Sequence, residues 1–125
     1  MKIRILDDSI RLRLSQGDVH QAESGGTVER QTRFPDGSAF RYALEAVAGG
    51  PATASFSDGR VLVRLPAADV SAWAGDDTAV SIELELALQG EDRLRLLIEK
   101  DFQCLTARSD EDQSDLFVNP SSNEC

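Results

Sequence analysis

The residues of this chain that could do chemistry are carboxylates and one thiol in its C-terminal half. Glu83 and Glu85 alternate with leucines, so on a strand both carboxylates lie on one face. Asp101 and Cys104 follow the next apolar run. Carboxylates with a thiolate suit zinc or another transition ion better than magnesium. The hypothetical metal ligands are Glu83, Glu85, Asp101, Cys104, Asp110 and Asp112.

Other residue types argue against a complete catalytic site. His20 is the sole histidine, so a Ser-His-Asp arrangement or a paired-histidine metal site is hard to assemble. The acidic run from Asp110 departs from a calcium loop, which needs glycine at its sixth position and an acid at its twelfth. Asp115 and Ser121 stand there. We predict no catalytic residues and no cofactor, and a divalent metal stays open as the alternative.

Composition limits the class of partner. The chain has 125 residues and a formal net charge of −9, which fits one domain and argues against binding to nucleic acid or an anionic membrane. The acidic surface favours a basic protein surface or a small cationic ligand, and the oligomeric state stays open. No apolar run approaches the ~20 residues of a membrane span, and residues 1–8 lack the long apolar segment of a signal peptide. A cytoplasmic location is expected.

Alternating side chains predict strands whose order recurs along the chain. Residues 3–5 and 10–14 alternate apolar and charged types, the period of a half-buried strand. Ser15 is a suitable N-cap for a short helix, and two further strands follow it. In the second half, the same order returns with Pro66 in the first turn of another helix. Each half is predicted as ββαββ.

An offset of 51 positions aligns the two halves at equivalent starts. It pairs Asp7 with Asp58, and Thr27 with Thr78, which predicts an internal duplication. Each unit alone would expose open sheet edges. We therefore predict an α+β, mostly β fold: an eight-stranded antiparallel barrel or strongly curved sheet with two short helices.

The predicted domain organisation follows from this repeat. Residues 1–105 form a single barrel-like domain with halves 1–50 and 51–105. Residues 106–125 form an acidic tail that is partly docked through its apolar residues 116–118. Whether Cys104 is covered by the tail or reactive stays open.

Register inside the two longer hairpins is also predictable. A three-residue loop places Glu85 opposite Arg95, and their pairing as ions would explain the acidic residues of that strand without a metal. The same rule sets Arg30 against Tyr42 in the other hairpin. Arg30 would then lie on the apolar side and either extend to solvent at the barrel rim or line a polar cavity.

Both ends of the chain resemble one family. The start, MKIRI followed by SIRLRL, and the segment IEKDFQCL at 98–105 look like the terminal signatures of a small uncharacterised bacterial domain family. The resemblance covers essentially the whole chain. It implies a bacterial, cytosolic origin and no assigned activity.

These observations favour a non-enzymatic binding or interaction module. The alternative is a metal-dependent hydrolase or transferase, because Glu83 and Glu85 resemble the alternating acids that hold metal in the triphosphate-tunnel barrels. The chain departs from that family's motif, which lies near the N-terminus and ends in lysine where Ala87 stands here.

Overall fold

The computed structural model describes residues 1–102 and 115–118, which form eight strands and two helices in the order ββαββ twice. The strands are β1 (Lys2–Ile5), β2 (Ser9–Leu14), β3 (Thr27–Arg33), β4 (Ala39–Val47), β5 (Thr53–Ser57), β6 (Arg60–Pro66), β7 (Ser81–Ala87) and β8 (Arg93–Lys100). The helices are α1 (Gln16–Glu23) and α2 (Ala67–Gly75). A mostly β chain with two short helices confirms that part of the predicted fold class.

The strands form two separate sheets, so the predicted closed antiparallel barrel is wrong. Sheet A has the order β1-β2-β8-β7, and sheet B has the order β3-β4-β6-β5. Each hairpin is antiparallel, but the two central pairs, β2 with β8 and β4 with β6, are parallel. Each helix carries the chain from one sheet to the other, and therefore every sheet combines one hairpin from each half.

The apolar faces of both sheets contribute to one core. Alternation along β2 buries Leu12 and Leu14, and alternation along β8 buries Leu96 and Ile98. Sheet B adds Leu44 and several valines, and both helices add apolar side chains. Because these side chains share one core, the opposite face of sheet A is its outer face, and it carries the charged residues of the same strands.

The edges of the two sheets meet through side chains instead of main-chain pairing. Arg30 lies opposite Tyr42, as predicted, but its guanidinium binds Asp18 of α1 at 2.6 Å. The amino group of Met1, just before edge strand β1, binds the same carboxylate at 2.6 Å. The Arg30 side chain is 44% exposed while its guanidinium binds Asp18, and Asp18 joins the β1 edge of sheet A to the β3 edge of sheet B.

The two halves correspond closely in backbone geometry. Asp7 and Asp58 are the non-glycine residues with positive φ among those described, at 49° and 51°. Both occupy the turn of the first hairpin in their half, at the predicted offset of 51. Aspartate is one of the residue types that tolerate this left-handed conformation.

The offset changes after the helices. β3 begins at Thr27 and β7 begins at Ser81, which is an offset of 54, so the alignment of Thr27 with Thr78 is wrong. The second helix is one residue longer than the first, and the loop after it is two residues longer. With offsets of 51 before the loop and 54 after it, the register of sheet A reproduces that of sheet B.

The first helix begins as predicted at Ser15. The Ser15 side chain accepts a hydrogen bond from the Asp18 N–H, and the Asp18 carboxylate accepts one from the Ser15 N–H. This reciprocal capping box satisfies two N–H groups at the helix start. The second helix has Pro66 at its N-cap and no side-chain cap, so the two helices differ at this point.

A short C-terminal segment lies against the first helix and the end of sheet A. The Asp115 carbonyl accepts a hydrogen bond from the Gln16 N–H at 2.9 Å, and the Phe117 N–H donates to the Asp101 carbonyl at 2.7 Å. Leu116 is buried, whereas Val118 is 76% exposed. Leu116 and Phe117 therefore pack on the fold and Val118 does not. The predicted boundary between 105 and 106 lies outside the described residues.

Candidate functional site

A groove of about 480 Å³ lies over the outer face of sheet A. The strand alternation that buries leucines in the core turns the intervening charged residues toward this groove. Its polar lining comes from all four strands of the sheet, and Leu6 of the turn after β1 adds an apolar side chain. The polar residues are Arg4, Ser9, Arg11, Glu83, Glu85 and Arg95.

The register of the strands sorts the charges across the groove. Arg4 lies opposite Arg11 on the neighbouring strand, and Leu97 separates Arg11 from Glu83. The arginines of β1 and β2 therefore occupy one side of the groove, the glutamates occupy the β7 edge, and Arg95 lies on β8 opposite Glu85. With strands spaced ~4.8 Å apart, Arg11 and Glu83 lie on strands about 10 Å apart.

One carboxylate holds two of the arginines in place. The Nε atoms of Arg11 and Arg13 donate to the same oxygen, Oε1 of Glu99, at 2.7 and 2.5 Å. The Glu99 side chain is only 12% exposed. Charge-assisted hydrogen bonds of this length are stronger than neutral ones, so the two guanidinium groups have a fixed position beside the groove.

Four charged groups of the groove have no ion pair in the part of the chain that the structure describes. They are Arg4, Arg95, Glu83 and Glu85. Glu85 lies opposite Arg95, as predicted, but the expected ion pair between them is not formed. Both side chains are exposed, and an exposed pair gains little from contact in water.

The equivalent outer face of sheet B pairs both of its glutamates, although Arg33 and Arg41 on that face have no ion pair among the described residues. Glu29, the counterpart of Glu83, binds Arg60. Arg64 binds Glu45 at 3.3 Å, which repeats the Arg13–Glu99 pair of sheet A. Both glutamates on the outer face of sheet B therefore have an arginine partner, whereas Glu83 and Glu85 of sheet A have none among the described residues.

The predicted metal ligands are only partly brought together. Glu83 and Glu85 lie side by side in the groove, but Asp101 is buried past the end of β8, where Lys2 binds it at 2.9 Å. Within residues 1–102 and 115–118, no group of three or more histidine, cysteine, aspartate or glutamate residues is arranged to hold a metal ion. Cys104, Asp110 and Asp112 lie outside the described residues.

A second polar cluster is centred on the buried Asp18. Burial raises the pKa of this carboxyl, but the hydrogen bond and charge of the Met1 amino group, the Ser15 N–H and the charge of Arg30 together hold the pKa below its usual value. The Tyr42 hydroxyl donates to the Met1 carbonyl at 3.0 Å, and burial raises the pKa of Tyr42. The Asp18 carboxylate has hydrogen-bond partners before β1, at the start of α1 and on β3, so this cluster has a structural role.

Sequence reasoning found the acids of the groove and Arg95, but it gave no role to the arginines of β1 and β2. Arg4, Arg11 and Arg13 alternate with aliphatic residues at the start of the chain, so their common face could have been predicted from period alone. The local pattern could not predict which strand lies beside β2. Strand β8 lies beside β2, and it brings Glu99 to these arginines and the β7 acids into the same groove.

The fold and the site define a class of protein: a small α+β protein of two four-stranded mixed sheets with a charged groove on one outer face. The chain belongs to the DUF7009 family, a family of unknown function whose model matches residues 1–121. This confirms the resemblance to a small uncharacterised family. No curated protein and no solved structure matches the chain significantly. Neither α1 nor α2, the helices of the described part, is long and apolar enough to cross a membrane.

Proposed function

We propose that this protein is a non-enzymatic binding module and that the groove on the outer face of sheet A receives its ligand. One observation carries the proposal: Glu83 and Glu85 lie exposed in the groove without an ion pair among the described residues. The counterpart of Glu83 in sheet B, Glu29, is paired with Arg60, and Gln31 stands at the position equivalent to Glu85. Charged groups that the scaffold leaves uncompensated are available to a partner.

The ligand presents a cationic group to the β7 edge. Glu83 and Glu85 are two residues apart on one strand face, so their Cα atoms lie about 7 Å apart. Two carboxylates at that spacing attract an amine or guanidinium that can hydrogen-bond with both. The partner is therefore a basic protein surface or a small cationic ligand, met in the bacterial cytoplasm that the sequence predicts.

Calorimetric titration of the full chain at low salt tests this proposal with two probes. Spermidine represents a small cationic ligand, and a lysine-rich peptide represents a basic protein surface. The double variant Glu83→Gln with Glu85→Gln should weaken binding of the recognised probe by about tenfold or more, as expected for charged hydrogen bonds. Neutralising both carboxylates removes the cation site and leaves the core untouched.

The control removes the same charge elsewhere. Glu23→Gln with Glu91→Gln also neutralises two acids, but Glu23 ends α1 and Glu91 lies in the β7–β8 turn. Binding of the recognised probe should change less than twofold, about 0.4 kcal/mol. Equal weakening in both double variants would mean that net charge alone attracts the probe. Turnover of substrates from a phosphoester library would also overturn the non-enzymatic assignment.

A metal-dependent hydrolase or transferase is the second candidate. The observation that favours it is the proximity of two carboxylates to Arg4 and Arg95 in one groove, because carboxylates bind metal ions and arginine binds phosphate. Metal analysis of protein purified without chelators tests this idea. A bound equivalent of zinc or manganese, together with a higher melting temperature that Glu83→Gln removes, would support the enzyme over the binding module.

A further inference from the structure

The arginine side of the groove carries a separate recess. We use the name arginine recess for a hollow of about 190 Å³ that is lined by Lys2, Ile3, Arg4, Arg11 and Arg13. All of these except Ile3 are basic residues of β1 and β2. The recess therefore concentrates positive charge on a protein whose net charge is −9.

Two of these arginines are preorganised. Arg11 and Arg13 each give their Nε to the single oxygen Oε1 of Glu99, which fixes two like charges side by side. A guanidinium has five N–H groups, and one carboxylate cannot satisfy ten. Both arginines therefore keep donors for a ligand, in positions that the largely buried Glu99 side chain has already determined.

The charge balance selects the ligand. Arg4, Arg11 and Arg13 contribute three positive charges, and Glu99 removes one, which leaves a charge of +2 with Lys2 paired to Asp101. A phosphate monoester carries a charge between about −1.5 and −2 at neutral pH and offers several strong acceptor oxygens. Arginine matches phosphate through paired, parallel hydrogen bonds. A single carboxylate group would leave the recess with excess charge.

Sheet B supplies the internal contrast. The counterpart of Arg13 is Arg64, which binds Glu45 without a second arginine on the same carboxylate among the described residues. The counterparts of Arg4 and Arg11 are Ser55 and Leu62, by the offset of 51. Sheet B therefore has one arginine and one glutamate at this place. Sheet A has two more arginines there, Arg4 and Arg11, which have no equivalent in sheet B.

We propose that the arginine recess binds the dianionic phosphate group of a soluble phosphomonoester. Arg11 and Arg13 hold the phosphate from β2, and Arg4 closes over it from the edge strand. This proposal shares with the proposed function only the outer face of sheet A. It concerns an anion site, whereas the proposed function concerns a cation site.

Titration of the full chain with phenyl phosphate is the direct test. Saturable binding with one site per chain is expected. Arg4→Gln should weaken it by about tenfold, the lower end for loss of hydrogen bonds to a charged group. Arg4 is exposed, and no ion pair joins it to the described residues, so this variant should keep the wild-type melting temperature. Arg4→Lys should recover part of the affinity because it keeps the charge and loses the paired geometry.

Arg33→Gln is the matched control. Arg33 is exposed at the end of β3 in the other sheet, and its loss changes the net charge equally. Its affinity for phenyl phosphate should stay within about twofold of wild type. Equal weakening by Arg33→Gln, or no saturable binding to the wild-type chain, would overturn the proposal. So would binding to phosphatidic acid vesicles without binding to phenyl phosphate.

The two proposals fail separately. Arg13→Gln, which changes the recess at a residue that does not line the groove, should leave binding of the cationic probe intact, because Glu83 and Glu85 lie on the opposite edge of the sheet. Loss of phenyl phosphate binding with retained cation binding identifies the anion site alone. A chain that binds its cationic probe through Glu83 and Glu85 but never binds phenyl phosphate would refute the arginine recess and leave the binding module standing.

Discussion

The outer faces of the two sheets are built from equivalent strands in the same register, yet they treat charge differently. Sheet B pairs its acids with arginines, in Arg60–Glu29 and Arg64–Glu45. Sheet A repeats one of these pairs with Glu99 and adds charges that have no such partner. The difference separates charges that the scaffold uses from charges that are available for binding.

The same contrast exists between the two helices. Asp18 in the first turn of α1 is buried and binds the Met1 amino group and Arg30. Asp69 in the first turn of α2 occupies the equivalent position and is exposed. The ionic cluster of the first half therefore has no equivalent at Asp69, which forms no ion pair with the described residues. Changes to these matched residues provide the strongest test of the comparison.

The largest expected effect is that of Asp18→Asn. Removing the carboxylate leaves the Met1 amino group and Arg30 without their common partner, and loss of one member of a buried ion pair is strongly destabilising. We expect a loss of about 3 kcal/mol in the free energy of unfolding, measured by denaturant titration. Asp69→Asn is the matched control and should cost about 0.5 kcal/mol at most. Similar losses in the two variants would show that the halves are energetically alike.

The second prediction follows from the lowered pKa of Asp18. A carboxyl with a lower pKa in the folded state stabilises the fold fully above its unfolded pKa, about 3.9. That contribution is lost as pH falls through the folded pKa. The difference in unfolding free energy between wild type and Asp18→Asn should therefore be constant near neutral pH and shrink progressively below about pH 4. A difference that grows on acidification would contradict the assigned ion pairs.

The third prediction compares the matched glutamates of the two outer faces. Glu99 is 12% exposed and serves two arginines, whereas Glu45 is 34% exposed and serves one. Glu99→Gln leaves Arg11 and Arg13 adjacent without a shared anion, so we expect a loss of about 1.5 kcal/mol in unfolding free energy. Glu45→Gln should cost no more than about 0.5 kcal/mol. Denaturant unfolding of both variants in parallel makes the comparison.

Much of the fold could be predicted because its signals are local. The alternation of charged and apolar residues identified the strands, Ser15 identified the first helix, and loop length set Glu85 opposite Arg95. The joining of hairpins from different halves left no such signal. The parallel pair of β2 and β8 joins residues more than 80 positions apart, as with Leu12 and Ile98, and nothing in the local pattern of either strand specifies its neighbour.

The candidate site was predictable only in part for the same reason. The period of the strand placed Glu83 and Glu85 on one face. The predicted ion pair of Glu85 with Arg95 depended on side-chain positions, which register does not determine. Register fixes which Cα atoms are opposite each other. Two long exposed side chains can still remain solvated, because the entropy lost by pairing them offsets most of the attraction.

The smallest expected effect is the coupling between Glu85 and Arg95. A double-mutant cycle with Glu85→Gln and Arg95→Gln should give a coupling free energy indistinguishable from zero, because no ion pair joins the two exposed side chains. The same cycle on Glu29 and Arg60 of sheet B should give about 0.5 kcal/mol, a normal value for a partly exposed ion pair. Measurable coupling in sheet A that equals the coupling in sheet B would mean that the two outer faces pair their charges alike. In that case the β7 acids would have a structural role, and the proposal that the groove binds a cationic partner would lose its support.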